Sequence, residues 1–165
     1  MTLSKSQFTY KLYVWLNDFL TEKYGSEYEI EIIVKPGMLS KSSNEKIKQL
    51  SNYSFLEFEP DILGILEKSA DNSTELVFLN RQTKAYGIRE IGEMYCFCKL
   101  AKPKHAFMAS LVGLSANVNK MINHEKKHDL ITYENDTIKI IRWDEDANAI
   151  DELSTTPIEE KDFFN

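Results

Sequence analysis

The chain has 165 residues, of which 42% are hydrophobic, 12% aromatic and 28% charged, enough for one domain with a single sizeable core and too apolar for wholesale disorder. No apolar run reaches the roughly eighteen residues of a membrane span. The net charge of -6 argues against a nonspecific nucleic-acid coat, but the last 22 residues carry -7 and leave residues 1–143 near neutrality at +1.

The first element is a helix. Phe8, Leu12, Trp15, Leu16, Phe19 and Leu20 recur at three- and four-residue steps, with Ser4 or Ser6 suited to cap the start and Gly25 to end it. Asn17 and Asp18 interrupt this stretch, so it is not expected to act as a signal-peptide core. Tyr28, Ile30, Ile32 and Val34 then alternate with glutamates up to Pro36-Gly37, which predicts a half-buried strand and a turn. A short helix is predicted from Asn44 to Leu50, a second strand from about Ser54 to Leu66, and a third from Glu75 to about Gln82. Ile88 to Leu100 reads as a helix stopped by Pro103, and His105 to Ser110 as a buried strand. A further helix is expected from Gly113 to about Lys126. Leu130–Tyr133 and Thr137–Trp143 are expected to form a closing hairpin, followed by an acidic tail from 144 to 165. Cys96 and Cys98 cannot build a disulfide framework. They are expected as buried packing residues of a protein in a reducing, cytoplasmic setting.

The most informative segment is Phe55-Leu56-Glu57-Phe58-Glu59-Pro60-Asp61-Ile62-Leu63-Gly64-Ile65. Proline removes a ladder donor and belongs at a strand edge or bulge, and here it precedes an aspartate that leads an apolar run. With the apolar Leu76-Val77-Phe78-Leu79 and the helix and strand that follow, this resembles the PD-(D/E)xK nuclease superfamily over about residues 50–112. The resemblance implies a restriction-endonuclease-like α/β core: a central mixed β-sheet flanked by helices in αβββαβ order, extended here by a C-terminal helix, hairpin and tail. Residues 1–143 would form the single domain.

In that family two carboxylates hold a divalent metal beside the scissile phosphate, and a lysine assists the attacking water. Asp61 fills the first carboxylate position. The acidic-x-Lys triplet falls on Asn80-Arg81-Gln82, where Asn80 and Gln82 share a strand face but carry no charge. One missing electrostatic group of this kind typically costs about 10²–10³ in rate. The expectation is therefore a nuclease relative with an eroded site, which serves as a nucleic-acid-associated binding or scaffolding protein. The alternative is an active Mg²⁺-dependent phosphodiesterase with a relocated acid. Either Glu59, or Glu93 reaching back from the next helix, would then join Asp61 as the second acid, with Asp61 and Glu59 as metal ligands and Lys84 replacing the lysine.

Lys99, Lys102 and Lys104 are candidates for phosphate contacts with DNA. The acidic tail with its terminal Phe163-Phe164 could dock into a protein partner or over the body's own basic face, and homo- or hetero-oligomers stay open; no membrane partner is expected. His124-Glu125-Lys126-Lys127-His128 matches H-E-x-x-H, which resembles the zincin metalloproteases and gives a remote zinc alternative. The lysines inside the motif instead favour a charged, solvated helix end.

Overall fold

The computed structural model describes residues 2–157 and 163–164. The helix α1 runs Lys5–Tyr24 and starts with a capping box in which Ser4 Oγ accepts from Gln7 N–H, while Gln7 Oε1 accepts from Ser4 N–H. It is followed by β1 (Tyr28–Val34), a single-turn α2 (Glu45–Lys48), β2 (Ile62–Lys68), β3 (Thr74–Gln82), α3 (Ile88–Ala101) and β4 (His105–Ser110). The chain continues through α4 (Ala116–Asn119), which runs into a π-helical turn (Lys120–His124). Then come the two-residue strands β5 (Thr132–Tyr133) and β6 (Asp136–Thr137), followed by β7 (Lys139–Asp144) and β8 (Ala149–Thr156).

Six strands form one mixed sheet in the order β1-β2-β3-β4-β7-β8. The pairs β1–β2, β2–β3 and β7–β8 are antiparallel, whereas β3–β4 and β4–β7 are parallel. Parallel pairing needs a crossover, and α3 supplies it between β3 and β4. Each face of the sheet has its own core. On one side Phe8, Leu12, Leu16 and Leu20 of α1 pack on Ile62, Leu66, Val77, Leu79, Phe107 and Ile141. On the other, Ile91, Met94 and Cys98 of α3 pack on Leu63, Ile65, Leu76, Phe78, Met108 and Ile140. Gly64 sets how closely α1 approaches. A Cβ there would lie 3.0 Å from Val77 Cβ and 3.2 Å from Leu20 Cδ1.

Several sequence expectations change. The second strand begins at Ile62, not near Ser54, because Pro60 has no N–H to extend the ladder. Glu57 and Glu59 therefore lie outside the strand and are exposed. The expected helix from Gly113 is only one turn of α4 plus the π-turn. The closing hairpin is only the β5–β6 pair. Lys139–Asp144 leaves it to join β4 in parallel, because Ile140 and Ile141 bury on opposite faces and need cover on both. The segment from Asp144 is not all tail, since Ala149–Thr156 completes the sheet as β8.

Cys98 is buried, but Cys96 is exposed. Phe163 and Phe164 pack on the body: Phe164 lies 5.8 Å from Trp15 and 6.0 Å from Phe19, and Phe163 5.3 Å from His105 by ring centroid. The acidic Glu159, Glu160 and Asp162 beside them lie outside the described residues. No helix among the described residues is long and apolar enough to cross a membrane.

Candidate functional site at the C-terminal edge of the parallel strands

The β2–β3 register pairs Ile62 with Leu79, which places Asp61 opposite Asn80 at the end of the hairpin. Asp61 N–H donates to Asn80 Oδ1 at 3.3 Å. The Asp61 carboxylate is occupied from the neighbouring strand: Oδ2 accepts Arg81 N–H at 2.8 Å, and Oδ1 lies 3.8 Å from an Arg81 Nη. The guanidinium is only 11% exposed and is braced by Thr9, whose Oγ1 accepts from Arg81 Nε at 2.7 Å. Thr9 Oγ1 donates in turn to Lys5 C=O of α1 at 2.8 Å. A continuous chain of polar contacts thus joins β2, β3 and the first turns of α1.

Two loops close the edge beside this group. Gln82 turns its Nε2 back to Ala85 C=O at 2.8 Å, so its amide is held within its own loop. Ser110 Oγ donates to Lys84 C=O at 2.7 Å and accepts from Val112 and Gly113 N–H, both at 3.0 Å. Tyr86 exchanges backbone hydrogen bonds with Gly113 and Ser115. Its ring is buried, and its hydroxyl has no hydrogen-bond partner among the described residues. Burial, then the negative charge of Asp61, pushes that hydroxyl's pKa far up, so it stays protonated.

The sequence candidates separate into two groups. Asp61, Asn80 and Gln82 gather at this edge, while Lys84 contributes its backbone carbonyl with an exposed side chain. Glu93 is exposed on α3. Glu90 is the α3 carboxylate tied to the nearby loop, where its Oε2 accepts Gly87 N–H at 3.1 Å. Glu59 is exposed beside the turn after β1, next to Pro36 and Met38.

Lys99, Lys102 and Lys104 lie at the other end of the sheet, where Lys104 N–H donates to Leu76 C=O near the start of β3. From there to Gln82 the strand rises about 20 Å. Lys102 pairs with Glu134 at 3.4 Å and Lys104 with Glu75 at 2.9 Å, so two of the three expected phosphate ligands already have carboxylate partners. His124 ends the π-turn, Lys126 adopts φ +58°, and His128 begins a separate 3₁₀ turn. The two histidines therefore do not stand one turn apart on one helix, as a zincin requires.

The residues at the Asp61 edge do not fit a divalent cation. Asp61 Oδ2 already accepts Arg81 N–H and Oδ1 lies 3.8 Å from the Arg81 guanidinium, so a cation would meet a positive charge already in place, and Asn80 Oδ1 already accepts a hydrogen bond. No three His, Cys, Asp or Glu side chains among the described residues come together as a ligand set. Sequence reasoning missed Arg81, because strand alternation sends the middle residue of the triplet to the opposite face. The available signal was that Arg81 is the single charge at the strand end. No protein-family model matches the chain, and no curated protein or solved structure is significantly similar to it.

Proposed function

We propose that this chain is a restriction-endonuclease-like domain whose nuclease site has eroded, and that it associates with nucleic acid without hydrolysing it. The sheet supports the kinship: an antiparallel β1-β2-β3 run followed by a parallel β4 across α3, with a helix on each face, is the αβββαβ order that such a core needs. One observation carries the eroded reading. The Asp61 carboxylate is held by the Arg81 N–H and guanidinium next to two neutral amides, so it is neutralised from within the protein. Without a second carboxylate or a lysine at Asn80 and Gln82, this edge lacks the groups that would hold a metal and a nucleophilic water beside a phosphate. An exposed Cys96 and a buried, unpaired Cys98 suit the reducing environment of a cytoplasm.

Incubating the full chain with supercoiled and single-stranded DNA in Mg²⁺ or Mn²⁺, beside a gel-shift titration, tests this. Retention of the DNA on the protein with no cleavage is the expected result. Cleavage that Asp61→Ala abolishes would establish an active enzyme and overturn the eroded site, and the absence of any DNA retention would overturn the nucleic-acid role.

A further inference from the structure

The face of α1 that braces Arg81 also borders a groove of about 590 Å³ between the start of the helix and the end of β1. Lys5, Ser6, Thr9, Tyr10 and Tyr13 line it from the helix, Val34 and Lys35 from the strand, and Arg81 from its floor. The spacing along α1 puts the five helical residues on one side, because steps of three and four return to the same face. The lining holds three cations and no carboxylate, in a chain whose net charge is -6. Among the described residues, no carboxylate pairs with Lys5 or Lys35. Arg81 spends Nε on Thr9 and one Nη edge on Asp61, which leaves further donors on a group lining the groove.

The groove also has an apolar part. Tyr10 is 67% exposed and Val34 41%, and Tyr13 is half-buried beside them. An anion alone would need the cations but not a tyrosine face. Lys35 is held at φ +52°, where non-glycine residues are uncommon, with its N–H bonded to Asp61 C=O at 2.9 Å. The backbone of the Asp61 edge thus sets where the Lys35 side chain starts.

We propose that this groove binds a single nucleic-acid strand, with a base stacked on Tyr10 and backbone phosphates on Lys5, Lys35 and the free edge of Arg81. This rests on the nucleic-acid reading above and narrows it to an unpaired strand. Exposed aromatic faces next to cations suit unpaired bases, whose π-faces a duplex covers. From Lys5 to Tyr13 the helix rises about 12 Å, which matches about three stacked nucleotides at roughly 3.4 Å each.

Fluorescence anisotropy with labelled ten-nucleotide single strands, the matching duplex and a phosphotyrosine peptide tests it in the full chain. The single strand should bind more tightly than the duplex. Tyr10→Ala should weaken it about tenfold or more, and Lys35→Ala should lower the slope of log affinity against log salt by about 0.7. Lys48→Ala, on α2, should leave binding unchanged. Cross-linking of a 5-iodouracil-containing strand to the unmodified protein gives a readout independent of variant folding, and Tyr10 or Tyr13 should be the labelled residue. Strand binding untouched by Tyr10→Ala and Lys35→Ala, with cross-links elsewhere, overturns the groove while leaving the nucleic-acid role standing. Failure of strand and duplex alike, whether or not the phosphopeptide binds, overturns both the groove and that role, and tighter binding of the duplex than of the strand overturns the groove alone.

Discussion

Replacing Asp61 by alanine separates a structural carboxylate from one kept free for catalysis. The substitution removes the acceptor of Arg81 N–H and the counter-ion of a guanidinium that is only 11% exposed. At 3.8 Å the charge pair would contribute about 4 kcal/mol with an effective dielectric of about 20. The Asp61 side chain is 32% exposed, however, and solvent screening brings that closer to about 1–2 kcal/mol. The lost backbone hydrogen bond adds about 1 kcal/mol. Asp61→Ala should therefore destabilise the fold by about 2–3 kcal/mol and lower Tm by about 5–10 °C. Urea unfolding measures the loss directly. In a double-mutant cycle with Arg81→Met the two effects should fall short of additivity by about 1–2 kcal/mol. A loss below about 0.5 kcal/mol, or any gain in stability, would refute the reasoning, because a carboxylate held ready for a metal costs stability that its removal returns.

Three further outcomes follow from the packing. Gly64→Ala should cost about 1–3 kcal/mol in urea unfolding, because the added methyl meets the Val77 and Leu20 side chains; a neutral effect would mean that α1 can lift off the sheet freely. Burial first, then the positive charges of Lys139, Lys23 and Lys104, depresses the His105 pKa to about 3, and its Nε2 meets Tyr24 Oη at 2.5 Å. The unfolded chain takes up this proton below about pH 6.5 and the folded protein only near pH 3, so stability should fall as pH drops through that window, by about 1 kcal/mol per unit. His105→Gln should flatten the slope measured between pH 7 and 5, and an unchanged slope would assign it to other groups. Replacing Phe163 and Phe164 by alanine uncovers Trp15 and should red-shift tryptophan emission with a loss of about 1–3 kcal/mol. An unshifted spectrum would place the aromatic pair away from α1.

Local patterns determined much of this protein. The four-residue recurrence of Phe8, Leu12, Leu16 and Leu20 made α1 legible, and the alternation of β1, the apolar runs of β3 and β4 and the proline after α3 set the order of elements. The strand patterns put no register on the β2–β3 hairpin; that Asp61 would lie beside Asn80 was an expectation from the resemblance, and the register itself came from the structure. Other features depended on contacts between residues distant in sequence.

Whether Lys139–Asp144 closes a hairpin or enters the main sheet depends on covering Ile140 and Ile141 from opposite sides, which no window of neighbouring residues specifies. Lys102 and Lys104 looked equivalent to any other basic cluster until β4 ran parallel to β3 and put them at the far end of the sheet. Arg81 is one residue in sequence from Asn80, yet its guanidinium reaches Thr9, 72 positions away, and only the packing of α1 on the sheet brings that brace and its groove together. Periodicity reports which residues seek burial or water, because that preference belongs to each side chain. Which charges meet is decided when two distant surfaces are pressed into one core and the polar groups at its rim must satisfy one another.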